Sequence, residues 1–206
     1  MAEEEIEWVE EYARELVRAG FSDRDEIVGF IGKYIEGEDY ADQVSPAELA
    51  DKEIAALVEE QKTWPEVTDF DRLEQVFQEL YEKAILPRHD FTCCAQCGSA
   101  ELIGEIEDEA TKGKAPNGYV FYHQQDTTSA LEGDGLLFFF GSADLEASES
   151  DYVAIGQILE SALREKGFEV TWDNTSGARI EINMDWKRRW GSKSEFVQKR
   201  PFVPRH

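Results

Sequence analysis

Cysteine is scarce in this chain of 206 residues: there are three, an odd number, and two of them are adjacent. A secreted disulfide framework shows a larger, spaced and usually even set, so cross-links are not what holds this fold. Long apolar runs are also missing. The longest, Leu136-Leu137-Phe138-Phe139-Phe140, is far too short to span a bilayer. The start, Met1-Ala2-Glu3-Glu4-Glu5, is acidic and lacks a basic n-region and an apolar h-region. These absences lead to the expectation of a cytoplasmic protein with no membrane partner.

Basic residues are few. Twenty-one Lys and Arg face forty-five Asp and Glu, for a net charge of −24. Phosphate contact needs clustered cations, so nucleic acid is not an expected partner. The phosphate loop G-x-x-x-x-G-K-[ST] and the patterns G-x-G-x-x-G, H-E-x-x-H and G-x-S-x-G are all absent. The familiar nucleotide-binding and hydrolase mechanisms therefore lose their sequence support.

What is present begins with apolar material. Hydrophobic residues make up 41% and aromatics 12%, spread along the chain, which suffices for a packed core. Ile6, Val9, Ala13, Leu16 and Val17 recur at helical spacing, and Gly20 stops that helix. Ser22 is placed to cap a second helix, and Ser45-Pro46-Ala47-Glu48 opens a third that ends at Trp64-Pro65. A fourth follows Thr68-Asp69-Phe70-Asp71 and ends at Pro87. Residues 99–111 read as a short acidic helix.

From residue 118 the pattern changes to Tyr119–Tyr122 and Leu136–Phe140 as buried strands, a helix over 152–166, and a strand pair at 168–172 and 179–184. The fold class is α+β: a helical part followed by a four-stranded antiparallel sheet, β-β-α-β-β, with a helix on one face. The expected divisions are a helical segment 1–66, an α+β domain 67–190 and a basic tail 191–206. Residues 186–206 carry seven cations against Glu195, which leaves −30 on the rest. That basic stretch, from residue 187 on, has the charge to fold back on the acidic body or to meet an acidic partner.

Two clusters carry chemistry. Cys93-Cys94-Ala95-Gln96-Cys97-Gly98 contains a C-x-x-C pair, open to three readings: half of a zinc site, a dithiol pair, or buried structural thiols. Zinc needs more donors than the pair supplies. Cys94, Cys97 and His123 give three, with Cys93, His89 or Asp126 as the fourth. The second cluster, His123-Gln124-Gln125-Asp126-Thr127-Thr128, follows an apolar strand. There His123 suits a general base or a metal ligand, with Asp126 orienting it. The plainer alternative is a strand-end histidine beside an Asp/Thr turn. Catalytic candidates are thus Cys94, Cys97, His123 and Asp126, and metal candidates Cys94, Cys97 and His123, with zinc the cofactor the pattern suits.

The chain also resembles an uncharacterised bacterial family of domain-of-unknown-function proteins, common among actinobacteria. The resemblance rests on Trp64-Pro65 with Thr68-Asp69-Phe70-Asp71-Arg72-Leu73, then on Phe91-Thr92-Cys93-Cys94-Ala95-Gln96-Cys97-Gly98. It continues through Gly118-Tyr119-Val120-Phe121-Tyr122-His123-Gln124-Gln125-Asp126-Thr127, and ends with Trp172-Asp173 and Asp185-Trp186-Lys187-Arg188-Arg189. It runs in order from about residue 60 to 190 and implies a bacterial, cytoplasmic protein of one architecture. It assigns no activity, ligand or catalytic residue. The functional expectation is a binding or interaction protein whose functional face is marked by Cys94, Cys97, His123 and Asp126. The alternative is a small metal- or thiol-dependent enzyme using the same residues.

Overall fold

A computed structural model describes residues 2–144 and 146–197. The end of the expected basic tail, residues 198–206 with His206, lies outside the described residues. The chain divides into two compact units, described in turn.

The first unit holds residues 2–68 and 187–193. Its helices are α1 (Ala2–Ala19), α2 (Arg24–Tyr34) and α3 (Pro46–Glu60). Val9, Ala13 and Val17 of α1 are buried with Ile27 and Ile31 of α2 and with Leu49, Ala50 and Leu57 of α3, one apolar stripe from each helix. Asp23, not Ser22, caps α2. Its carboxylate accepts from the Glu26 amide at 3.0 Å, and the Glu26 carboxylate accepts from the Asp23 amide at 2.8 Å. Ser45 caps α3 ahead of Pro46. Two cations of the basic stretch bind backbone here. Arg188 donates to the Gly20 and Ser192 carbonyls, and Arg189 donates to that of Pro65 at 2.5 Å.

The second unit holds residues 69–186 and 194–197. It runs α4 (Asp69–Glu82), β1 (Ile85–Arg88), α5 (Ala95–Thr111), β2 (Gly118–Phe121), α6 (Gln124–Glu132), β3 (Leu136–Ser142), α7 (Glu149–Glu165), β4 (Val170–Thr171) and β5 (Ile180–Ile182). The α+β class stands, but the sheet has five strands and is mixed, in the order β1-β2-β3-β5-β4. β1 runs parallel to β2, with Ile85 opposite Gly118; the other pairings are antiparallel. A parallel pair requires a long crossover, and α5 supplies it.

The purely antiparallel, four-stranded expectation failed because Pro87 read as a helix stop. It sits instead inside β1, which the strand order places at the sheet edge, where a residue without an N–H is tolerated. α6 was also missed. Gln-Gln-Asp-Thr-Thr is a weak helical sequence, and the helix spans only nine residues.

α7 packs on β2 and β3 and α4 on β1, which buries Phe77, Leu80, Ile85, Phe138 and Leu159. Beside this core lies a charged cluster that sequence spacing does not reveal. Arg88 is 8% exposed and donates to Glu105 Oε2 from Nε at 2.9 Å and from Nη2 at 2.7 Å. Glu109 sits 3.8 Å from Arg88 and accepts from the Tyr81 hydroxyl at 2.9 Å and from Lys112 at 2.8 Å. Burial alone would raise the Glu109 carboxyl. The hydrogen bonds from Lys112 and Tyr81 outweigh it and hold the group below its ordinary range.

Candidate metal centre

The thiols sit on a backbone that few residues adopt readily. Asp90 has φ 49° and Thr92 φ 65°, both left-handed and neither a glycine. Specific bonds hold this turn. The Phe91 amide donates to the Tyr122 carbonyl at 2.7 Å, and the Gln124 amide donates to the Thr92 carbonyl at 3.0 Å. Thr92 Oγ1 donates to the Cys94 carbonyl at 2.9 Å, and Thr127 Oγ1 to Asp90 Oδ1 at 2.6 Å. The two sequence clusters, 91–98 and 119–127, therefore meet through their backbones.

Cys94 is then the N-cap of α5, and Cys97 lies in its first turn. The helix starts four residues before the expected Ser99. Gly98 lets it approach the sheet: a Cβ there would lie 2.8 Å from Phe121 Cε2 and 3.0 Å from Cζ. Phe121 has little freedom to retreat, because it is buried between Phe91 and Phe139, with ring centroids at 5.4 and 5.0 Å. Gly98→Ala is expected to cost about 1–3 kcal/mol, the usual penalty of overpacking. Urea denaturation measures it, and an unchanged midpoint would show that the ring moves aside freely.

The three sulfurs converge. Cys93 Sγ is 3.5 Å from Cys97 Sγ and 3.9 Å from Cys94 Sγ, and all three lie within 4.8 Å of one another. Each cysteine is half-buried. The Cys97 thiol is pushed up to about 11 by hydrogen bonding to the Cys93 and Cys94 thiols and by the charge they would carry when ionised. A cysteine nucleophile is activated by the opposite shift, toward thiolate at neutral pH.

Among the described residues, the His, Cys, Asp and Glu side chains that converge closely enough to hold one ion are these three thiols alone. His123 and Asp126 do not join them. Cys93, expected only as a spare donor, takes the place proposed for His123. His89 is placed elsewhere too. Its ring is buried, with Nδ1 2.8 Å from the Tyr122 hydroxyl, Nε2 3.0 Å from Glu74 Oε2 and one face stacked on Phe77 at 4.0 Å. Both of its nitrogens are engaged away from the thiols.

His123 begins α6. Its amide donates to Asp126 Oδ2 at 3.0 Å, and its Nδ1 lies 2.8 Å from the same oxygen and 3.2 Å from the Asp126 amide nitrogen. One nitrogen cannot donate to the carboxylate and accept from the amide together. The shorter contact, to a buried carboxylate, favours a proton on Nδ1 that is donated to Oδ2. Arg179 donates to Asp126 Oδ1 at 2.6 Å and lies 4.0 Å over the Phe139 ring. Burial alone would raise the Asp126 carboxyl, but the bonds from His123 and Arg179 prevail and hold it below its usual value. Both side chains are thus committed to a helix start and an ion pair.

Fold and site together define an α+β protein with a three-thiol cluster at the first turn of a crossover helix. A family model described as "Domain of unknown function (DUF6891)" matches residues 2–190, and the chain belongs to that family. The match takes in the N-terminal helices, beyond the stretch from residue 60 that carried the resemblance. No curated protein matches the chain, and no solved structure does. No helix among the described residues is long and apolar enough to cross a membrane.

Proposed function

We propose that this chain is a binding protein of the bacterial cytoplasm whose functional face is the three-thiol cluster, and that the cluster takes a thiophilic metal ion. The observation that carries this is the convergence of Cys93, Cys94 and Cys97 Sγ atoms within 4.8 Å. With Zn–S bonds of about 2.3 Å, a tetrahedral site has S···S edges of about 3.8 Å. Two of the three separations, 3.5 and 3.9 Å from Cys93 to Cys97 and Cys94, bracket that value, and the third lies within 4.8 Å. A reducing compartment fits the reading, since three thiols this close must stay reduced to bind.

The enzymatic alternative has less support. The raised Cys97 thiol argues against that one residue as the nucleophile, and His123, the expected base, is buried against Asp126.

Titration of the reduced protein with zinc, and with cobalt as its coloured substitute, tests the reading. One equivalent is expected, with a thiolate-to-cobalt charge-transfer band, and Cys97→Ser should lower affinity by roughly 100-fold, the chelate factor of one tethered donor. Absence of that band, together with unchanged melting in zinc and in chelator, would overturn it.

A further inference from the structure

We infer that the three-thiol cluster binds a trivalent, three-coordinate thiophilic species of the arsenite class, with one bond to each of Cys93, Cys94 and Cys97. The inference deepens the metal-site reading and rests on its premise that the three thiols act as one donor set. Two observations carry it.

The first is the donor count. Among the described residues, no carboxylate or imidazole accompanies the thiols closely enough to complete a four-coordinate set. Zinc in a structural site takes four protein ligands, so three thiols leave it one vertex short. Trivalent arsenic forms three bonds to sulfur and keeps a lone pair at the fourth vertex. A set of three soft donors without an oxygen or nitrogen ligand fits that requirement.

The second is rigidity around the donors. The turn that contains the left-handed Asp90 and Thr92 is held by backbone bonds from Phe91 to Tyr122 and from Gln124 to Thr92 and by the Thr127 hydroxyl on the Asp90 carboxylate. The Thr92 hydroxyl donates to the Cys94 carbonyl. Gly98 lies directly against Phe121. The sulfurs are gathered in advance, which reduces the ordering cost of forming three bonds at once.

The reaction balances without an oxidant or a reductant. Three As–O bonds of arsenous acid break and three As–S bonds form. Each thiol proton leaves with one hydroxide as water, so three waters are released and the arsenic stays trivalent. The product carries no added charge. A zinc ion held by three thiolates would instead add one negative charge to a chain already at −24.

The test uses sodium arsenite on the reduced full-length protein, read by intact mass under native conditions. One arsenic is expected per chain, with the mass of three hydrogens lost, and all three cysteines should resist iodoacetamide while arsenic is bound. Cys93→Ser, Cys94→Ser and Cys97→Ser should each lose only two hydrogens on binding and keep one hydroxide on the arsenic, with affinity lower by on the order of 100-fold. The protection assay needs no variant, so a misfolded Cys→Ser protein leaves the inference exposed to refutation. A cysteine that alkylates at its free rate in saturating arsenite would overturn it, as would a loss of two hydrogens in the unaltered protein. Zinc uptake without arsenite uptake sinks the inference and spares the metal-site reading. Arsenite uptake without zinc uptake does the reverse for zinc.

Discussion

Arg88→Met is expected to lower the unfolding free energy by about 3–5 kcal/mol, the cost of removing one partner from a buried ion pair. The substitution keeps most of the side-chain volume, so the loss reads charge and not a cavity. It deletes both hydrogen bonds to Glu105 and the nearby positive charge facing Glu109, while those carboxylates stay 7% and 5% exposed. Urea denaturation at neutral pH measures the loss, and adding Glu105→Gln to the variant is expected to restore part of it. A loss under 1 kcal/mol, or no recovery in the double variant, would show that water already reaches the cluster.

Asp126→Asn is the second large effect, about 2–3 kcal/mol, because a buried carboxylate that binds both His123 and Arg179 becomes a neutral amide. This loss depends on pH in a defined direction. The folded carboxyl is held below its ordinary value, so its stabilisation is fully present above the unfolded pKa of about 3.9. It fades as the pH falls through the lower folded pKa. The gap between wild type and Asp126→Asn should therefore be full at neutral pH and narrow steadily in acid. Parallel acid unfolding curves for the two proteins would contradict the assignment.

Much of the fold was legible because its helices carry the ordinary signals. The stripes of α1, α4 and α7 and the aromatic density of β2 and β3 appear in the structure where the periodicity puts them. The misses share a physical cause: each depends on what a residue faces. Pro87 is a helix stop by local rules, and only the strand order, which places β1 at the edge, makes it a strand residue. His123 and Gln125 would share a face had β2 continued, but the strand ends at Phe121 and residue 123 becomes a helix cap.

The site was half visible. C-x-x-C spacing picks out Cys94 and Cys97, since residues three apart at a helix start can aim at one point. Alternation along an extended segment would send Cys93 and Cys94 to opposite sides. Cys93 nonetheless converges with the other two, after a turn that is left-handed at Asp90 and Thr92, and nothing in the residue types at 90 and 92 announces that turn.

Pro87 has one more consequence. A strand at the end of a sheet offers its open backbone to any other extended chain, the first step of intermolecular sheet growth. Here the ring of Pro87 takes one donor off that rim. Just past it, the His89 amide is already given to the Phe196 carbonyl, and residues 89 and 197 form a short parallel bridge. The rim of β1 is thereby poorly suited to recruit a second molecule, so a protein with a long aromatic β-strand at its centre carries its own guard against fibril-like self-association.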